Sequence, residues 1–151
     1  MKQVIIFNNC QQNFALEIER IERIIEYKEP KKLPETADYI MGVIRYNGRV
    51  LPIIDLNRRL YGVPCEIREN SKIIVILWNE SHIGLVVDEI IGIRSIDEEA
   101  FEDSSIGEGS ISSDYIRGFI KVEEDIIIHM DTDRLFSFVQ ARELLDLEAA
   151  E

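Results

Sequence analysis

The sequence predicts an all-β, or mainly β, chain built as two similar five-stranded barrels packed together, with a helix at the C-terminal end. Three observations predict it. Short runs rich in Ile and Val recur between turn residues along the chain, the composition of strands on a pleated, half-buried surface. Asn47-Gly48 stands between two of these runs, and Asn-Gly is the strongest short-range hairpin signal, because a type I′ turn needs positive φ at both central residues. The third observation is an internal repeat, the mark of a duplicated architecture.

In chain order the predicted strands are residues 4–7, 14–18, 24–27, 43–46, 50–54, 73–78, 83–87, 90–96, 116–122 and 126–130. Two stretches read as helical. One is a short turn at 56–60. The other follows Asp131 and Thr132, either of which can cap it, with Leu135, Phe136, Val139, Leu144 and Leu145 as an apolar stripe. Residues 38–60 recur without a gap at 114–136, a shift of 76. Seven of these 23 positions are identical: Asp38, Tyr39, Ile40, Gly42, Ile44, Asp55 and Arg58 match their counterparts. The earlier part repeats at a shift of 69, with 5–7 falling on 74–76 and 16–21 on 85–90. The seven extra residues fit in the polar stretch 102–113, which is predicted as a longer loop. The expectation is one domain over 1–151, made of pseudo-repeated subdomains at about 14–70 and about 83–136, with exchange of end strands left open. Five short strands with one apolar face curl into a small barrel and so remove most exposed edges.

The net charge is −12, from 17 Lys and Arg against 29 Asp and Glu. That field repels phosphate backbones and anionic lipid, which argues against nucleic-acid and membrane-surface roles. No apolar run approaches the ~20 residues of a membrane helix, and the N-terminal run is too short and polar for a signal peptide. The expected location is cytoplasmic.

The chemistry-bearing residues read as structural. Asp55 and Asp131 each end an apolar strand and precede a helical turn, where a short carboxylate caps free amides. Gly42 and Gly118 fit a partner's close approach or a barrel bend equally well. Trp78 reads as core, with an interface centre as the alternative. The acidic groups at 98–99, 102–103 and 123–125 read as solvated loops and turns. His82 and His129 lie in no cluster with ligand spacing and read as surface and strand positions. No glycine-rich phosphate loop or Asp-x-Asp-x-Asp-Gly loop is present. No catalytic residue, metal or cofactor is therefore expected. A small hydrolase using Cys65 or a histidine is the reading from another class, and it needs a His brought to Cys65 by the fold.

One string goes further. Gly42-Val-Ile-Arg-Tyr-Asn-Gly48-Arg-Val-Leu-Pro52-Ile-Ile-Asp55-Leu56, followed by Arg59-Leu60, closely resembles the CheW family of bacterial chemotaxis. Gly84-Leu-Val-Val-Asp88-Glu-Ile90 is similar to the family's second signature, and Tyr115-Ile116-x-Gly118 with the run into Asp131 to its third. The resemblance covers about residues 4–136. It implies two SH3-like barrels side by side and a non-catalytic, cofactor-free adaptor. Its implied partners are the cytoplasmic tip of chemoreceptors and the regulatory domain of a CheA-type histidine kinase. It also implies recruitment to membrane receptor arrays without direct membrane insertion. An adaptor of a non-flagellar chemosensory pathway is the variant reading.

The resemblance places the receptor-facing positions on Ile21, Arg23, Gly42, Asn47, Gly48 and Val50, with Pro52, Asp55, Leu56, Gly84, Asp88, Gly118 and Asp131 as motif positions. Relatives commonly carry Glu where Arg23 stands and Arg where Asn47 stands, a pair thought to bridge. Both are replaced here, and Arg45 and Arg49 flank the turn, where either can restore positive charge. The prolines that usually precede the third signature are absent from 102–113.

Overall fold

Left-handed two-residue turns close three of the hairpins among the described residues of this chain. The computed structural model describes residues 1–103 and 115–149. Its strands are β1 (Lys2–Asn9), β2 (Gln12–Glu17), β3 (Ile21–Glu26), β4 (Ile40–Tyr46), β5 (Arg49–Asp55), β6 (Lys72–Trp78), β7 (Ser81–Val87), β8 (Glu89–Ile96), β9 (Phe101–Asp103), β10 (Ile116–Val122) and β11 (Asp125–Met130). The helices are α1 (Leu56–Tyr61) and α2 (Phe138–Ala149). Asn47 and Gly48 sit at φ 48° and 75° between β4 and β5, as a type I′ turn requires. Cys10-Gln11 and Asn79-Glu80 also have positive φ at both residues. Neither pair contains glycine, so the sequence marks these hairpins only as gaps between apolar runs.

The strands form two sheets. One has the order β3-β6-β7-β5-β4, the other β8-β1-β2-β11-β10-β9. Each takes its first two repeat strands from one half of the chain and the rest from the other. The sequence repeat pairs β1 and β2 with β6 and β7, yet β6 and β7 join β3, β4 and β5, while β1 and β2 join β8 to β11. The matching parallel ladders share one register: Ile53 pairs with Gly84 in one sheet and, at the equivalent positions, His129 with Ala15 in the other.

Both sheets curl. In the first, the Tyr46 hydroxyl on β4 donates to Glu22 Oε2 on β3 at 2.6 Å, joining the two edges. Inside lie Ile44, Leu51, Ile53, Ile73, Val75 and Val86. The second encloses Val4, Ile6, Ala15, Ile96, Ile120 and Ile127. A third and larger cluster fills the space between the barrels, including Phe7, Phe14, Ile74, Ile76, Trp78, Leu85, Met130 and Phe136. On β6, Ile73 and Val75 therefore point into a barrel and Ile74, Ile76 and Trp78 into the joint, which explains a run without polar alternation. Trp78 is 2% exposed and stands edge-on to Phe136, with ring centroids 5.5 Å apart.

The two halves also close alike. Asp55 N–H donates to Tyr39 O and Asp131 N–H to Tyr115 O, each at 2.7 Å. Asp55 caps α1 by accepting from Arg58 N at 3.0 Å. Asp131 caps only a 3-10 turn, accepting from Asp133 N. The predicted helix after Asp131 therefore begins later, at Phe138. Ser137 Oγ accepts from Gln140 N while Gln140 Oε1 accepts from Ser137 N, a reciprocal capping box that outcompetes the earlier start. Leu135 and Phe136 precede this helix, and Leu144 and Leu145 pack from it into the joint. Glu102 and Asp103 belong to β9 rather than to a loop, because Phe101 anchors that segment in the barrel. The rest of the predicted 102–113 loop, the side chain of Val139, and Asp114 as the repeat partner of Asp38 lie outside the described residues.

His129 is in a strand, as expected, and faces inward. It is buried, and its Nε2 lies 3.0 Å from Glu17 Oε2. The repeat puts Ile53 and Val86, both core residues, at the positions of His129 and Glu17, so a polar pair occupies sites that are apolar in the other barrel. Burial pulls the His129 pKa down, opposed by the Glu17 carboxylate. Burial pushes Glu17 up, but hydrogen bonding and charge from Lys2, with the charge on His129, hold it below its usual value. An unfolded chain takes up the histidine proton near pH 6.5, which the fold resists, so stability is complete above that pH and falls on acidification. Urea midpoints at pH 7.5 and 5.5 are expected to differ in the wild type, lower at 5.5. His129→Gln keeps a hydrogen-bonding group without this titration and should shrink the difference; an unchanged difference would assign the acid sensitivity elsewhere.

Candidate partner-binding surface

Local hairpin geometry and one side-chain link place the predicted receptor-facing residues. Asn47 and Gly48 form the exposed tip of the β4–β5 hairpin. Arg23 lies exposed on β3, cross-strand from Val75. The Tyr46–Glu22 hydrogen bond brings these two elements together at one end of the first barrel. Glu22 also lies 2.9 Å from His82 Nε2. The Tyr46 hydroxyl, with His82 and Arg23 nearby, holds the Glu22 carboxyl below its usual range. Val50, half-buried, pairs with Arg45, so both occupy the outer face of the hairpin.

Two predicted positions are less exposed. Ile21 packs on the cluster between the barrels. Gly42 is buried under the chain's own backbone: a Cβ there would lie 2.1 Å from Lys31 O. Lys31 and Val43 exchange both backbone hydrogen bonds, 2.9 and 3.0 Å. Gly118 repeats the arrangement, since a Cβ there would lie 2.0 Å from Glu102 O. Both glycines admit a crossing segment of the same chain, a role that the sequence reading, with its partner approach or barrel bend, did not name. The crossing also explains Pro52, which pairs with Val43. Both backbone groups of Val43 are committed to Lys31, so the proline's missing N–H costs nothing there.

The other motif positions are structural. Gly84 sits inside the first barrel, where a Cβ would meet Ile53 and Ile73 at 2.8 Å. Leu56 begins α1 fully buried in the joint. Asp88 accepts from Asn57 Nδ2 at 3.0 Å and from Cys10 N at 2.9 Å, and Asn9 Nδ2 donates to Asn57 Oδ1 at 2.6 Å. This chain of bonds ties α1 of one barrel to β1 of the other beside a polar cleft of about 480 Å³. Sequence reasoning missed Asn9 and Asn57, whose partners are 48 and 31 residues distant. It missed Glu22 and Tyr46 for the same reason.

The nucleophile reading finds opposite chemistry. Burial pushes the Cys65 thiol up to about 12, with the Asp55 carboxylate adding to the shift. A thiolate nucleophile needs the reverse. Among the described residues no group of three or more His, Cys, Asp or Glu is placed to hold a metal ion.

A second surface lies on the other barrel. Among the described residues β8 is an edge strand, hydrogen-bonded to β1 alone, and Ile91 and Ile93 on it are 52% and 59% exposed. Exposed apolar residues along an open edge mark a place where another chain can dock.

A family model described as CheW-like domain matches residues 3–140. The chain is 27% identical over 150 residues to "Chemotaxis protein CheW" of Bacillus subtilis, covering 99% of this chain and 90% of that protein. Against "Chemotaxis protein CheW" of Thermotoga maritima it is 24% identical, covering 93% and 91%. The solved structure of the scaffolding protein TtCheW from Thermoanaerobacter tengcongensis superposes with a TM-score of 0.84 at 26% identity, over 95% of this chain and 92% of that one. With two curled sheets, a shared core and a C-terminal helix in common order, this chain belongs to the CheW-like domain family.

Proposed function

We propose that this protein is a non-catalytic chemotaxis adaptor that couples chemoreceptors to a CheA-type histidine kinase. The family match over nearly the whole chain carries the reading. Two separate exposed surfaces support it: the β3 and β4–β5 end of the first barrel, and the β8 edge of the second. A single continuous core between the barrels keeps them in fixed relation, as a scaffold that reports one partner's position to another must be. In this reading the receptor tip meets the first surface, through Arg23, Asn47, Gly48 and Val50, and the kinase regulatory domain meets the β8 edge. Among the described residues no helix is long and apolar enough to cross a membrane. Recruitment to receptor arrays then comes through the receptor.

The test is a pull-down with the regulatory domain of the CheA-type kinase and a receptor-tip fragment from the same genome. Expected is a ternary complex, with Ile91→Asp/Ile93→Asp weakening the kinase contact at least about tenfold and sparing the receptor contact. No kinase binding by the wild type even at high protein concentration would overturn the adaptor reading.

A further inference from the structure

The two barrels close by different chemistry. In the first, the Tyr46 hydroxyl on β4 bonds directly to Glu22 on β3. In the second, β8 and β9 end the sheet and are not hydrogen-bonded to each other among the described residues. A cluster of charged and aromatic side chains joins β9 back to β1 instead. Lys2, at the start of β1, lies 5.8 Å above the Phe101 ring of β9 and 3.2 Å from Glu17 Oε1, at the end of β2. Glu17 Oε2 meets His129 Nε2 of β11 at 3.0 Å and Arg117 Nη1 of β10 at 3.8 Å. Phe101 completes the circuit, edge-on to the His129 ring with centroids 5.2 Å apart. Every strand of that sheet except β8 therefore supplies a side chain, and β8 hangs on β1, where Ile96 pairs with Lys2.

Among the described residues the charges acting on His129 are Glu17 from β2, Arg117 from β10 and Lys2 from β1. Glu19 stands beside Glu17 from the turn after β2, and β9 contributes the uncharged Phe101 ring. A proton on His129 sets three cations around one paired carboxylate, in a buried place. Burial accordingly keeps the ring neutral below the usual histidine range. Once the barrel opens, the ring meets water and titrates near pH 6.5, so below that pH proton uptake favours the open form. Glu17, held low in the closed form, adds its own loss only at more acid pH. The first barrel carries apolar Ile53, Val86 and Met41 at the positions of His129, Glu17 and Arg117, and has nothing to titrate there.

We propose that this cluster is a proton-operated clasp on the second barrel: neutral His129 holds it shut, and protonation opens it locally and releases the β8 edge. Because Ile91 and Ile93 stand on β8, acid then withdraws the surface proposed above to meet the kinase domain. The clasp itself does not depend on that assignment.

Amide hydrogen exchange on the full chain tests it, with rates corrected for the intrinsic effect of pH. Between pH 7.5 and 5.5 the β1–β8 amides should open at least about fivefold more often, since one pH unit is worth up to about tenfold per proton. Their exchange should barely respond to about 1 M urea, the sign of a local opening, whereas β6 amides should follow urea. His129→Gln keeps a bond to Glu17 without the titration and should abolish the pH step. His82→Gln, on β7 of the first barrel, should keep it. Glu17→Val/His129→Ile copies the first barrel and should stay closed at both pH values. β8 amides that track urea as β6 does overturn the clasp, because β8 is then freed only by global unfolding. A pH step that survives His129→Gln overturns it as well. Calorimetric titration with the regulatory domain of the CheA-type kinase reads the partner side. Weaker binding at pH 5.5 by the wild type, and not by His129→Gln, extends the clasp to the partner. Unchanged binding beside a clear pH step in exchange overturns the kinase reading of the β8 edge and leaves the clasp standing.

Discussion

Replacing Trp78 with alanine should lower the free energy of unfolding by about 3–5 kcal/mol, the range for deleting a buried aromatic. Trp78 ends β6 in the first sheet, while its edge-on neighbour Phe136 follows β11 of the second. Around them Ile76, Ile83, Tyr39 and Leu135 fill the joint, so the vacated space cannot close without moving one barrel against the other. The stacking geometry adds to the area term. Urea unfolding followed by far-ultraviolet circular dichroism measures the loss. A loss below about 1 kcal/mol would mean that the joint is loosely packed around this ring. Because the same residue couples the barrels, the variant should also weaken any signal carried between the two proposed partner surfaces.

Gly42→Ala should cost roughly 3 kcal/mol or more, since overpacking and an unsuitable φ act together there. Its φ is +141°, and the added methyl would meet Lys31 O at 2.1 Å and the Lys31 carbonyl carbon at 2.7 Å. Both obstacles are backbone, so no rotamer change relieves them. Gly48→Ala is the internal comparison. It has φ +75° but open space around it, so only the left-handed conformation counts, about 1–2 kcal/mol. Thermal unfolding should rank Gly42→Ala well below Gly48→Ala, with Gly118→Ala also strongly destabilised by Glu102 O. Equal losses at Gly42 and Gly48 would show that the crossing segment yields easily. If it does not yield, Lys31 stays fixed along β4 through its two backbone bonds to Val43.

The strands, the Asn47-Gly48 turn, the Asp55 cap and the duplicated pattern were legible because each is written in residues close together in the chain. Alternation and turn chemistry act over two to four positions, and the repeat multiplies that local signal. Trp78 was legible as core on the same grounds. The proposed receptor-facing set came from the resemblance alone, and its members differ in kind: Arg23, Asn47 and Gly48 are exposed, whereas Gly42 is covered by Lys31.

What tertiary structure alone decided is which strand lies beside which. β6 and β7 are apolar on both faces, so their sequence satisfies either barrel equally, and only long-range packing assigns them to β3, β4 and β5. The same assignment turns His129 inward onto Glu17, 112 residues away. It also closes Tyr46 on Glu22, which joins the β3 and β4 edges at one end of the first barrel. Sequence by itself determined the elements and their doubled order, because those follow from neighbours in the chain. The surface that a partner meets depends on contacts between distant residues, and these exist only once the two halves have exchanged their strands.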